Sequence, residues 1–173
     1  MSSAKSSLKI AIAGLGVVGA EVARQVINRG DQLGAAASTP MRVVAVSARE
    51  RLVDRGVSLD GIEWYDEAPK LAERDDIDII IEMIGGSEGV ALDLARVALR
   101  SGKHLITANK AMIAHHGAEL AQLAETNGVY LLFESAVAGG IPAVKTLREG
   151  LAGNKITRVA GILNGTCNYI LST

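Results

Sequence analysis

Residues 8–28 read LKIAIAGLGVVGAEVARQVIN. Leu8 to Ala13 is an apolar run of strand length, and Val17 to Asn28 continues with helical periodicity. Between them lies Gly14-Leu-Gly16-Val-Val-Gly19. At that spacing the first glycine makes a tight turn and the second lets a pyrophosphate approach the backbone. The third allows the helix to pack closely on the strand, and the helix N-terminus supplies free N–H donors and a partial positive charge. The context is right on both sides, which favours dinucleotide binding over a tight turn that holds no ligand.

Outward from this stretch, short apolar runs alternate with helix-period segments, as in a parallel sheet covered by helices. Arg42–Ser47 reads as a second strand, reached through a polar, Gly/Ala-rich connection from Gly30 to Pro40. Ile77–Met83 reads as a third, with three consecutive isoleucines, as expected where both faces are covered. Ser87–Arg100 is a helix with Val90, Leu94, Val97 and Ala98 on one stripe. His104–Thr107 is a fourth strand, Lys110–Thr126 a helix and Val129–Phe133 a fifth strand. The fold class expected is α/β, a Rossmann-like doubly wound parallel sheet, with residues 1–134 as its dinucleotide-binding domain. At Glu134 the pattern changes to small residues, then Ile141-Pro142 and an amphipathic stretch to Gly150. Pro142 suits a helix start, where its missing N–H is no loss. Ile156–Leu163 reads as another strand, so residues 135–173 are expected to begin a second, incomplete catalytic and dimerisation domain.

Composition narrows the function. Of 173 residues, 49% are apolar and 3% aromatic, so the chain can bury a core and offers few rings for base stacking. Eighteen basic against 19 acidic residues leave a formal charge of −1, which gives no bulk attraction for nucleic acid or anionic lipid. The single cysteine, Cys167, excludes an intrachain disulfide framework and a multi-cysteine zinc site. No stretch has the length of a membrane span or the form of a signal peptide. A soluble, cytoplasmic protein is expected.

The end of the second strand bears on cofactor choice. NAD sites usually place Asp or Glu there for the ribose hydroxyls, whereas this chain has Ser47-Ala48-Arg49, with Arg51 and Arg55 behind. Arg49 can pair with a 2′-phosphate, so NADP is favoured over NAD. Arg51 and Arg55 read equally well as solvated surface residues. Thr107-Ala108-Asn-Lys110 falls at the carboxyl edge of the sheet, where ligands bind. Lys110 there is either a proton carrier or clamp on a polarised oxygen, or an ordinary helix-start lysine. His104, His115 and His116 have no metal-ligand spacing, and Trp64-Tyr65 is expected at a strand edge.

Four segments together closely resemble homoserine dehydrogenase: GLGVVG at 14–19, TANKAMIAHHGAEL at 107–120, FESAVAGGIPAVKTL at 133–147 and GILNGTCNYIL at 161–171. The resemblance runs from Lys9 to Leu171 in the family's order. It implies reversible hydride transfer between L-homoserine and L-aspartate 4-semialdehyde with NAD(P)H, on the route to threonine, isoleucine and methionine. It further implies nucleotide contacts at Leu15, Gly16, Val17 and Val18, at Arg49 and at Thr107 to Lys110, with Lys110 beside the substrate oxygen as the catalytic residue. Glu134, Val137, Gly139 and Ile141 match a monovalent-cation loop, for sodium, against the plainer reading of a turn in which Glu134 pairs locally. Asn164, Gly165 and Thr166 match the segment that reaches the substrate. Cys167, where many relatives have threonine, reads as a packing residue.

Family members dimerise and continue past this segment with an acidic stretch, an Asp and a second Lys. The implied portion is therefore the cofactor-binding part, inactive alone. Two alternatives remain at this stage: another semialdehyde or hydroxy-acid dehydrogenase, and a non-catalytic NADP-binding sensor needing only the glycine turn and Arg49.

Overall fold

The computed structural model describes residues 7–161. Its strands are β1 (Leu8–Ala13), β2 (Met41–Ser47), β3 (Glu63–Tyr65), β4 (Ile79–Glu82), β5 (His104–Thr107) and β6 (Leu131–Leu132). They form one sheet in the order β3-β2-β1-β4-β5-β6, with every neighbouring pair parallel. The order reverses between β1 and β4, which opens a crevice beyond their carboxyl ends. This is the expected Rossmann-like sheet, with one strand more than the periodicity shows.

Side-chain alternation along β1 assigns the two faces. Ile10 and Ile12, with Val43, Val46 and Ile81, pack with Ala23 and Val26 of helix α1 (Val17–Gly34). Ala11 and Ala13, with Ala45, Ile80 and Leu105, belong to a larger cluster on the other face. That cluster contains Leu92, Leu94 and Leu99 of α2 (Val90–Arg100), and Met112 and Leu120 of α3 (Lys110–Thr126).

β1, β5 and α3 have the bounds that the sequence suggests. α1 is longer: it passes a break at Arg29 (φ −130°, ψ 16°) and continues to Gly34 before a 3₁₀ turn at Ala35–Ala37. Two glycines let this extra turn dock on the incoming β2. A Cβ on Gly30 would lie 2.1 Å from the Met41 carbonyl oxygen, and one on Gly34 would lie 2.1 Å from that of Thr39. The connection expected to be irregular from Gly30 is thus helical where backbone contact holds it. β4 is shorter than Ile77–Met83, although Ile77 is buried, and β6 keeps only two residues of Val129–Phe133. Trp64 and Tyr65 do stand at an edge, as part of β3 itself.

Beyond β6 follow α4 (Glu134–Ala138) and α5 (Ala143–Lys145), the latter directly after Pro142 and running into a wide helical turn at Thr146–Gly150. Every residue from Lys145 to Gly161 is exposed. The strand expected over Ile156–Leu163 is not formed across 156–161, and its last two residues lie outside the described range. A strand exists only against a partner edge that takes its N–H and C=O groups, and no described strand pairs with this stretch. Among the described residues no helix is long and apolar enough to cross a membrane.

Candidate functional site

The three glycines of the first turn are separable by what surrounds them. Gly14 has φ 94°, and a Cβ there would sit 2.6 Å from the carbonyl carbon and oxygen of Met83. Its N–H donates to Ser47 O at 2.8 Å, which fastens the turn to β2. A Cβ on Gly19 would lie 1.8 Å from Gly14 O, so the first turn of α1 rests directly on the loop. A Cβ on Gly16 would meet nothing within 4 Å. One glycine shapes the turn, one seats the helix, and the middle one leaves a face open. Gly16 is also the N-cap of α1; no side chain caps the helix and its first turn carries no acid. The orphan N–H groups there are a ready seat for an anion. Leu15 is buried in the α1-side core, whereas Val17 and Val18 are exposed at 92% and 61%.

A cleft of about 490 Å³ opens from this turn across the ends of β2 and β4. Ser47, Ala48 and Arg49 line it beside Gly14, Leu15 and Gly16, so the structure brings these sequence candidates together. Arg49 is exposed and has no hydrogen bond or ion pair among the described residues. Arg55 is not a free surface cation. Its guanidinium donates to Leu15 O at 3.1 Å, to Val53 O at 2.8 Å and to Glu50 O, and lies 5.4 Å from the Trp64 ring centroid. It ties the loop after β2 to the glycine turn. Arg51 is exposed, matching its solvated reading. Glu50, Val53, Asp66, Met83 and Ile84 also line the cleft and were not singled out from sequence.

Thr107, Ala108 and Lys110 occupy the same carboxyl edge but lie outside the lining of this cleft. β5 stands two strands from β1, about 10 Å away at ordinary strand spacing. Lys110 is the first residue of α3, exposed, with no partner among the described residues. Thr107 is 1% exposed, and its hydroxyl donates to Glu82 Oε2 at 2.5 Å and accepts from Asn109 N at 2.9 Å.

Glu82 is the functional candidate that the sequence reading missed. It ends β4 with 0% exposure, and its Oε1 accepts from Ile84 N at 2.6 Å and Gly85 N at 3.1 Å. Asn109 completes the arrangement: Nδ2 donates to Gly86 O at 2.6 Å, and Oδ1 caps α3 by accepting from Met112 N at 3.0 Å. The available signal was a carboxylate closing the apolar run IDIIIE, a place where an unpartnered acid would be costly.

Glu134 uses its two carboxylate oxygens on Val144 N at 3.0 Å and Lys145 N at 2.9 Å, the local pairing weighed against a cation site. The Ile141 carbonyl accepts from Ala143 N at 2.8 Å, and Gly139 and Ile141 are exposed. Among the described residues no group of three or more His, Cys, Asp or Glu side chains could hold a metal. His104 Nδ1 accepts from Tyr130 N at 3.0 Å, and His116 contacts Glu88 at 2.7 Å; both are structural. Asn164, Gly165, Thr166 and Cys167 lie outside the described residues.

The family described as "Homoserine dehydrogenase, NAD binding domain" matches residues 14–134, and a second, "Homoserine dehydrogenase", matches 142–173. The homoserine dehydrogenase of Mycobacterium leprae is 43% identical over 99% of this chain and 38% of its own length. That of Corynebacterium glutamicum is 44% identical over 96% of this chain and 37% of its own. The crystal structure of a homoserine dehydrogenase from Thiobacillus denitrificans superposes with TM-score 0.84 at 38% identity, over 96% of this chain and 38% of that one. The chain thus spans a little over a third of the length of these relatives.

Proposed function

The chain belongs to the homoserine dehydrogenase family, and from that premise we propose that residues 1–134 hold the nicotinamide cofactor of a homoserine dehydrogenase. The observation that carries this is the glycine turn: an open face at Gly16, backed by an uncapped helix N-terminus, at the point where the strand order reverses. A pyrophosphate there accepts the N–H groups of Gly16, Val17 and Val18. The adenosine half runs toward Ser47 and Arg49, and the nicotinamide half toward Thr107, Ala108 and Lys110. When bound, the cofactor accepts or supplies the hydride. Lys110 then donates a hydrogen bond to the substrate oxygen, where charge develops in the transition state.

NADP is the cofactor that this arrangement favours, because Arg49 presents a guanidinium with no partner among the described residues. The specific observation on the side of NAD is Glu50 in the same cleft, a carboxylate able to take ribose hydroxyls. The substrate pair is L-homoserine and L-aspartate 4-semialdehyde, with Asn164, Gly165 and Thr166 on the substrate side, in a cytoplasmic dimer of threonine, isoleucine and methionine synthesis. A sodium ion is assigned to Glu134, Val137, Gly139 and Ile141. The donor chemistry fits, one carboxylate and backbone carbonyls being suitable ligands for a hard cation, and each Glu134 oxygen keeps a lone pair beside its N–H partner.

Titration calorimetry tests the cofactor reading. The chain is expected to bind NADPH, and Arg49→Ala to weaken NADPH about ten- to a hundredfold while changing NADH by only a few fold, since losing a charged hydrogen bond costs roughly 1.5–3 kcal/mol. Equal weakening overturns the NADP assignment, and no binding of either nucleotide overturns the reading. For catalysis, Lys110→Ala in an active protein should cut kcat and leave nucleotide affinity within a few fold. An unchanged kcat returns Lys110 to an ordinary helix start.

A further inference from the structure

We infer that Glu82 is a positioning residue for the nicotinamide end of the site, acting through a closed ring of hydrogen bonds that joins the β4–α2 loop to the start of α3. The inference rests on the dinucleotide reading above.

Three features set this carboxylate apart from an ordinary buried acid. Its charge has no cationic partner among the described residues; it is balanced by two backbone N–H groups and one hydroxyl. Isoleucine fills the three preceding positions of β4, so packing alone gives no reason for an acid at the fourth. Its donors also come from different elements. Ile84 and Gly85 belong to the loop after β4, whereas Thr107 ends β5. From Thr107 the ring passes to Asn109 N, and Asn109 Nδ2 returns to Gly86 O, beside Gly85. Every link is a named bond between 2.5 and 3.1 Å.

The loop needs such a fastening. Gly85, Gly86 and Gly89 have φ of 82°, 85° and 69°. Cβ atoms built on Gly85 and Gly89 would meet nothing within 4 Å, and one on Gly86 would touch only Glu88 O at 3.9 Å. Glycines in open space carry the largest conformational freedom of any residue, so neighbouring side chains do not select the loop's shape. Its far end is held by the exposed Glu88 through His116, and its near end by the ring. The ring also sets the first turn of α3, because Asn109 caps that helix and Lys110 is the next residue. Glu82 therefore fixes two surfaces at once: the loop that flanks the nicotinamide path and the helix start that presents Lys110. Ile84 also lines the cleft beside Arg49, but no hydrogen bond in the ring involves Arg49, Arg55 or the Gly14–Gly19 turn, so the hydrogen bonds that hold the adenosine end are independent of it.

That independence provides the test. Dissociation constants are measured for NADPH and for adenosine 2′,5′-bisphosphate, which carries the adenosine end alone, on the unaltered chain and on Glu82→Gln. The glutamine keeps an acceptor for the loop N–H groups and turns an amide donor toward Thr107. NADPH affinity should fall at least tenfold and that for the bisphosphate less than twofold. Asn109→Ser, which keeps an N-cap and removes the bond to Gly86 O, should show the same selectivity and stands in if Glu82→Gln fails to fold. Equal loss for both ligands, or no loss for NADPH, overturns the inference. Failure of the unaltered chain to bind NADPH overturns the dinucleotide reading itself and this inference with it.

Discussion

Each of the two loops flanking the glycine turn is gathered by one charged side chain bonded to backbone groups. After β2, the Arg55 guanidinium collects the carbonyls of Leu15, Val53 and Glu50. After β4, the Glu82 carboxylate collects the N–H groups of Ile84 and Gly85 and the hydroxyl of Thr107. The devices mirror each other in charge and differ in burial. Arg55 is half-buried beside the Trp64 ring, and water can replace part of what it holds. Glu82 and the Thr107 hydroxyl that it accepts from are both fully buried, so that bond has no water to turn to, whereas Ile84 is only half-buried and Gly85 exposed. The same number of hydrogen bonds should therefore be worth very different amounts on the two sides.

The sharpest way to break this comparison is Glu82→Ala. It leaves the buried Thr107 hydroxyl and the part-buried Ile84 N–H without their acceptor, each costing roughly 1–3 kcal/mol, while the exposed Gly85 can turn to water; urea unfolding should show a loss of about 2 kcal/mol or more. A loss below about 1 kcal/mol would mean that water reaches the cavity and that burial does not separate the two devices. Gly19→Ala comes next, since its methyl would meet Gly14 O at 1.8 Å. Overpacking of this kind costs about 1–3 kcal/mol and should lower the midpoint of thermal unfolding, because the helix must move off the turn. Arg55→Ala should cost about 1–2 kcal/mol, less than Glu82→Ala. Equal costs for the two would show that hydrogen-bond number, rather than burial, governs.

The smallest effect is expected at the opposite, amino edge of the sheet, where Asp76 offers an exposed carboxylate for contrast. Arg74, and then Lys9, hydrogen-bond Asp76 and hold its carboxyl well below the usual range of a carboxylate. A depressed folded-state value means that the stabilisation is present above the ordinary 3.8 and is lost as the pH falls through the lower folded value. Asp76→Asn should thus cost less than about 1 kcal/mol at neutral pH, less still in salt, and nothing in strong acid. Denaturant titrations across that pH range check it. A neutral-pH cost matching that of Glu82→Ala would remove the role assigned to burial.

Legibility from sequence was uneven for physical reasons. β1, β5 and α3 were readable to the residue, because each is bounded by local signals: the glycine turn after Ala13, and the Thr-Ala-Asn cap before Lys110. The edge strand Glu63–Tyr65 was not readable as a strand, since three residues carry too little periodicity. The extra turn of α1 after Asn28 depends on Gly30 and Gly34 meeting the carbonyls of Met41 and Thr39, a contact between segments that no local pattern records. Ile156–Leu163 has strand composition, yet 156–161 form no strand, because composition does not supply an edge.

The site divides in the same way. Gly14, Gly16, Gly19 and Arg49 announced themselves by spacing after β1 and β2. Arg55 and Glu82 did not, because their partners lie 40 residues away at Leu15 and 25 residues away at Thr107. The sequence by itself determined the parallel α/β layering, the glycine turn that leads into α1 and the place of Lys110 at the carboxyl edge. These follow from periodicity and from the stereochemistry of glycine, both of which act over a few neighbouring residues. Only the tertiary structure decided how the loops beside the turn are held. That outcome depends on which polar groups become buried together, and burial is a property of the packed chain.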